Sequence, residues 1–290
     1  MAPSRVLILS TVFVALAPAQ DFSKISLEII GKNFVFTEGP AWSKEGVLIF
    51  SDTSADKLWK WSAGNDAVVF REPSNGASGN AFDGQGRLYT CETHARRVTR
   101  TNLKDGHIDV LADQWEDKKL NAPCDLAVSK NDHLYFTDPA FGSQQDHREL
   151  DFYGVYHLPP KGPLRLVAKP TGRPHGIAIS PNGRVLYITN ADERNVRAYD
   201  VDHNGDTSGE RVLVAHTDGI PGGLKVNEKG ELYVATTKGI SIYSAEGKPI
   251  HDIPMRDRPS NCAFDPQGGW LYVTARGYLY RIRVDGKAEN

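Results

Sequence analysis

The chain has 290 residues, 40% hydrophobic and 24% charged, with a formal charge of -2. That balance is ordinary for a soluble globular protein and leaves neither a basic face for nucleic acid nor a strongly acidic tail. Two Met, 27 Gly and 17 Pro, with no long Leu/Ala/Glu/Lys stretch, argue against helical bundles and for many short strands joined by turns.

The first hydrophobic run does not belong to the fold. Met1 to Arg5 carries one positive charge, Val6 to Ala17 is almost wholly apolar, and Ala17-Pro18-Ala19 offers the small residues a signal peptidase reads. A run of about 12 apolar residues is too short to span a bilayer as a helix, which needs roughly 20. Residues 1–19 are therefore expected to be a signal peptide and residues 20–290 an exported domain, periplasmic or extracellular. No later stretch is apolar enough to span a membrane.

From there one phrase recurs. It reads GPAWSKEGVLIFSD from Gly39, GNAFDGQGRLYTCE from Gly79 and CDLAVSKNDHLYFTD from Cys124. It returns as HGIAISPNGRVLYITN from His175, GGLKVNEKGELYVAT from Gly222 and NCAFDPQGGWLYVTA from Asn261. Each copy has two β-prone runs around a Gly/Asn/Asp turn, the pattern of a hairpin. Taking Phe50, Tyr89, Tyr135, Tyr187, Tyr233 and Tyr272 as matching residues gives spacings of 39, 46, 52, 46 and 39. Periods of about 40 to 50 residues built from strands indicate propeller blades of four strands each. Further strand candidates lie between phrases: Lys57–Trp61, Arg97–Thr101, Gly154–His157, Val196–Asp200, Ile240–Tyr243 and Leu279–Arg283. The reading is an all-β chain, a six-bladed β-propeller around a central channel, with no room for a second domain.

In a propeller the innermost strand of every blade starts at one mouth of the channel, so equivalent positions form rings. One ring holds Glu38, Ser78, Cys124, His175, Gly222 and Ser260; the next holds Gly39, Gly79, Asp125, Gly176, Gly223 and Asn261. Glu38, Cys124, Asp125, His175 and Asn261 depart from the small turn residues that the repeat sets there. Polar side chains converging on a narrow channel are costly unless they bind something. Three cysteines, Cys91, Cys124 and Cys262, form no disulfide framework, and Cys91 and Cys262 read as small buried hydrophobes.

FTEGPAW, GNAFDGQGRLYTCETHARRVTRT, LNAPCDLAV with YFTDPAFG, RPHGIAISPNG, IPGGLKV and NCAFDPQGGWLYVTA together resemble the family of regucalcin (senescence marker protein), gluconolactonase and luciferin-regenerating enzyme. The resemblance runs from about Phe36 to Arg283. It implies a divalent cation in the channel, usually calcium, that polarises a lactone or ester carbonyl while a carboxylate helps bring water to the carbon. Carried over, it places Glu38 at the Glu ligand and Asp125 at the neighbouring carboxylate, as the group orienting water or substrate. Cys124 and His175 stand where the family has Asn, and Gly222 where it has Asp, the expected ligand and general base. A calcium site of the usual kind is thereby weakened. Glu38, Cys124 and His175 are nevertheless good donors for zinc or another transition metal, so a changed metal is an open alternative.

Asn121 offers a substitute oxygen or a loop cap, and Asn261 a channel brace or a substrate contact. The insertion from Gln144 to Gly154 is a candidate lid, with His147, Arg148 and Asp151 as candidate substrate contacts. Glu92 and His94 read as surface ion-pairing residues beside Arg96 and Arg97. No GxSxG elbow, Walker loop or dinucleotide fingerprint is present. Two readings stand: a metal-dependent hydrolase of sugar lactones, or a non-catalytic propeller binding a sugar-derived ligand. The expected partner is a small molecule, with no nucleic acid and a monomeric state.

Overall fold

The computed structural model describes residues 22 and 25–285; the expected signal peptide lies outside them. The first strand, β1, runs Leu27–Lys32. Blade 1 is β2–β5 (Thr37–Trp42, Leu48–Asp52, Lys57–Trp61, Val68–Arg71), and blade 2 is β6–β9 (Ala77–Phe82, Leu88–Glu92, Arg97–Thr101, Ile108–Ala112). A small hairpin, β10–β11 (Gln114–Trp115, Lys118–Lys119), follows. Blade 3 is β12–β15 (Leu126–Val128, Leu134–Asp138, Gly154–Leu158, Arg165–Ala168), and blade 4 is β16–β19 (Pro174–Ile179, Val185–Asn190, Asn195–Val201, Thr207–Val214). Blade 5 is β20–β23 (Pro221–Val226, Leu232–Thr236, Gly239–Tyr243, Pro249–Pro254). Blade 6 is β24–β26 (Pro259–Phe264, Trp270–Ala275, Tyr278–Arg283), with β1 as its outermost strand.

Each recurring phrase is an antiparallel hairpin of innermost and second strand. Its turn is set by a polar residue and a residue of positive φ, a glycine in five copies and Asp132 (φ 62°) in blade 3. In blade 2 the Asp83 carboxylate accepts from Gln85 N and Arg87 N, both at 2.9 Å, and Gly86 takes a φ of 81°. That conformation favours a residue without Cβ. The strands that follow are rich in β-branched and aromatic residues, which suit pleated, buried surfaces.

Pairing registers correct one match made from the repeat. Trp42 faces Leu48 and Phe82 faces Leu88, so Ile49, not Phe50, is equivalent to Tyr89. Phe50 instead packs edge-on to Phe34, with ring centroids 5.0 Å apart. The ring Ile49, Tyr89, Tyr135, Tyr187, Tyr233 and Tyr272 is buried, and its members pack in the seams between blades.

Hydroxyl groups join neighbouring blades at the top of the channel. Ser51 Oγ donates to Ser78 O at 2.7 Å, Thr137 Oγ1 to His175 O at 2.6 Å, and Thr189 Oγ1 to Gly222 O at 2.6 Å. Ser260 Oγ closes the ring by donating to Thr37 O at 2.7 Å. These bonds fix the carbonyls beside the candidate site and satisfy buried acceptors that water does not reach. All three cysteines are free and buried. Glu92 is also fully buried, contrary to the surface reading. Arg71 and Arg97 contact it at 2.9 and 2.7 Å, which compensates its charge.

Candidate functional site

The inner strands begin at one mouth of the channel, and their first residues converge there. Glu38 comes from β2 and is 4% exposed; one carboxyl oxygen accepts from Gly39 N at 3.0 Å. Asp125 comes from the turn into β12. Its Oδ1 accepts from Leu126 N at 2.9 Å, and its Oδ2 accepts from Ile177 N at 3.4 Å and Asn261 Nδ2 at 3.2 Å. Blades 3 and 6 stand opposite in the ring, so the Asp125–Asn261 bond spans the channel. Asn261 is held in turn by Cys262 N, which donates to its Oδ1 at 2.8 Å. This crossbar forms the floor of a cup at the channel mouth.

Its electrostatics follow from burial. Desolvation and the nearby Asp125 push the Glu38 carboxyl up to about 8, so it is largely protonated at neutral pH. Burial lowers His175 to about 4, opposed by Asp125 and assisted by Arg173 and Arg258, leaving its imidazole neutral. The Cys124 thiol is pushed well above its ordinary value by burial and by the Glu38 and Asp125 charges. It is a neutral thiol rather than a primed nucleophile.

An arc of polar contacts runs around three blades. Cys124 Sγ lies 3.9 Å from Ser78 Oγ and 4.0 Å from His175 Nδ1. Cys124 and His175 thus meet as expected, but among the described residues no three His, Cys, Asp or Glu side chains are grouped to hold a metal ion. The hard-cation set is also depleted. Asp125 already accepts three hydrogen bonds, Cys124 and His175 bring sulfur and nitrogen, and Gly222 brings no donor. A Cβ on Gly222 would stand 2.3 Å from the backbone oxygen of Ser260, so the seam itself leaves no space for a side chain. The residues present do not fit the family's calcium site.

The other expected residues divide. Asn121 is buried at 2% exposure and braces the insertion, its Nδ2 donating to Asp138 O and Phe152 O at 3.0 and 2.9 Å. Its Oδ1 is buried without a hydrogen-bond partner among the described residues. His147 ends a 3-10 turn, Gly142–His147, and is exposed. Arg148 stacks 4.8 Å from the Tyr153 ring. Just before this insertion, in the same connection between β13 and β14, Phe141 places its ring 5.2 Å from His175, with the Arg173 guanidinium 4.9 Å from it. No repeat rule pointed to Phe141 or Arg173, because both lie in connections outside the phrase. Two surface cavities, of about 480 and 630 Å³, open elsewhere and take no residue from the cup.

With the geometry in place, comparison with known proteins is direct. The model of the family described as SMP-30/Gluconolactonase/LRE-like region matches residues 36–277. A gluconolactonase of Zymomonas mobilis is 29% identical over 288 residues, covering 89% of this chain and 81% of that protein. Regucalcin of Xenopus laevis is 25% identical over 265 residues, covering 87% of each. A solved gluconolactonase of Xanthomonas campestris superposes with a TM-score of 0.84 at 29% identity, covering 90% of both chains. A regucalcin of Agrobacterium tumefaciens, described as calcium-binding, shares the fold at a TM-score of 0.76 and 18% identity, over 90% of this chain and 95% of that one.

Proposed function

The chain belongs to the SMP-30/gluconolactonase/LRE-like family, and on that footing we propose that it hydrolyses a sugar lactone or related cyclic ester in the cup of its channel. The observation that carries the reading is the meeting of two buried carboxyl groups, Glu38 and Asp125, at the starts of the innermost strands, beside His175, Cys124 and Asn261. Buried carboxyl groups with no ion-pair partner among the described residues are costly, and a channel that gathers them gains from binding a polar molecule.

The donors present do not fit the calcium ion that the resemblance implies. The chain's own groups supply acid, base and orientation. Asp125, fixed by three donors, takes the proton of a water as its oxygen bonds to the acyl carbon. Protonated Glu38 donates toward the oxygen side of the ester, first supporting the developing negative charge, then giving its proton to the ring oxygen as the acyl–oxygen bond breaks. One proton leaves the water and one reaches the new hydroxyl, so the product is the open hydroxy acid. Neutral His175 and the Cys124 thiol form the side wall.

Gly222 favours the second reading, a propeller that binds without turnover, because the family's expected base is missing there. The deciding experiment is hydrolysis of D-gluconolactone by the purified mature protein, with Glu38→Gln and Asp125→Asn, in calcium, zinc and chelator. Turnover that survives chelator and falls about 100-fold or more in both variants supports this mechanism. Turnover lost with chelator rejects the metal-free route. No turnover, with tight lactone binding, selects the binding propeller.

A further inference from the structure

Resting on that lactone reading, we propose that the substrate is an acidic sugar lactone, bearing a carboxylate or phosphate outside its ring, which Arg258 and Arg148 at the channel mouth recognise. The argument starts from the polarity of the cup. Its floor holds Glu38 and Asp125, so an anionic substituent is disfavoured there and points outward. The rim is built from connections that enter the innermost strands or leave the second strands.

Arg258 lies one residue before β24, is exposed, and has no ion-pair partner among the described residues. Its place two residues before Ser260 of the inner ring sets it at the mouth, and its charge is among those that lower His175. Arg148 projects from the insertion between β13 and β14. It stacks on Tyr153 at 4.8 Å, makes no carboxylate contact among the described residues, and keeps a buried Nε without a hydrogen-bond acceptor. Arg173 is different: its guanidinium is paired with Asp192, Nε to Oδ1 at 3.0 Å, which leaves it to hold Phe141 over His175. Phe141 thus offers the sugar ring an apolar wall.

Rim acids divide into paired and unpaired. Glu149 pairs with Arg96 at 3.1 Å and Asp218 with Lys238 at 2.6 Å, while Asp146 and Asp151 of the insertion are exposed without such a partner. Arg258 and Arg148 thus belong to a set of rim cations without an ion-pair partner among the described residues, with Arg194, Arg256 and Arg276 on the connections of blades 4 and 6. Guanidinium groups suit both carboxylate and phosphate through paired N–H donors.

The test compares kcat/KM for neutral D-gluconolactone, D-glucaro-1,4-lactone and 6-phospho-D-gluconolactone in wild type, Arg258→Ala and Arg148→Ala. One anionic lactone is expected to exceed the neutral one by about 10-fold or more, and each variant to shrink that ratio, since one well-placed charged hydrogen bond is worth that factor. Which anion wins identifies carboxylate or phosphate. Raising the salt should also shrink the wild-type ratio, a readout that needs no variant. Arg211→Ala, paired with Asp200 on the outer part of blade 4, should leave the ratio alone. A ratio near one, or one indifferent to both rim variants, overturns the proposal while lactone hydrolysis stands. If no lactone is turned over, the hydrolase reading falls. Calorimetric affinities for the glucaro- and gluconolactone then still decide whether the mouth selects an anion.

Discussion

Asn261 illustrates how a single amide reorganises this channel. By bonding Asp125 across the ring it fixes one carboxylate and brings the second, on Glu38, within its field. The physical outcome is a Glu38 that holds its proton to about 8, against an ordinary value of 4.5, because burial and the neighbouring negative charge disfavour its ionised form. The linkage sign is fixed. A group whose folded value is raised contributes stability that is fully present below its unfolded value and is lost as pH rises through its folded value. Glu38 therefore loses its contribution as pH rises from about 4.5 to 8, and Asp138, raised by burial from 3.8 to about 7, acts in the same sense. His175, lowered from 6.5 to about 4, acts oppositely, losing stability as pH falls through that window. The clean quantity is thus a difference. Urea unfolding of Glu38→Gln and wild type from pH 4.5 to 9 should show the variant gaining steadily on the wild type as pH rises. A difference that stays flat would mean Glu38 is ionised or solvated throughout.

At the scale of elements, the seams explain why some expectations transferred from the repeat and others did not. Innermost strands meet backbone to backbone: a Cβ on Gly39 would lie 2.1 Å from Ser78 O, and one on Gly176 2.5 Å from Gly222 O. Glycine at those places serves approach between blades, which is why Glu38, Asp125, His175 and Asn261 stood out against it from the repeat alone. What the repeat does not encode is distance across the ring. That Asp125 and Asn261 touch depends on channel width, and that Phe141 rather than His147 covers His175 depends on how one connection folds. The slip from Ile49 to Phe50 has a similar origin, since blade 1 carries its aromatic on the opposite face of the strand. Gly222 yields the sharpest test at this scale. Gly222→Ala and Gly222→Asp should both lower unfolding free energy by about 1–3 kcal/mol, because the first clash is the Cβ against the Ser260 carbonyl oxygen across the seam. Added calcium should recover stability in Gly222→Asp alone if the position still faces the old donor set. Equal stability of both variants and wild type would mean that the seam opens freely.

For the whole molecule, the count of six blades was legible because the phrase is repeated six times, each copy being a hairpin that cannot bury its faces without neighbours. How the ring closes was not legible. β1 lacks the phrase, and its sequence LEIIGK carries no sign that it belongs beside a strand some 250 residues away. Yet it pairs antiparallel with β26, from Leu27 opposite Ile282 to Lys32 opposite Tyr278, and so joins the start of the chain to its last blade. Ile30 and Phe34 add apolar contacts to the cluster of Leu48, Phe50, Trp61, Tyr272 and Leu279, which binds blade 6 to blade 1. Glu28 also pairs with Arg281 at 2.6 Å, but both side chains are about one-third exposed, so that bond contributes little. The closure therefore rests on backbone pairing and packing. Deleting β1, by starting the chain at Asn33, should expose the β26 edge and cost more than the roughly 2–5 kcal/mol of a single large core truncation, with aggregation through the freed edge. Glu28→Ala should move the urea midpoint only slightly. Should the two variants unfold alike, the ring would be closed by its inner strands, where Ser260 bonds Thr37, and β1 would be a covering strand rather than a clasp.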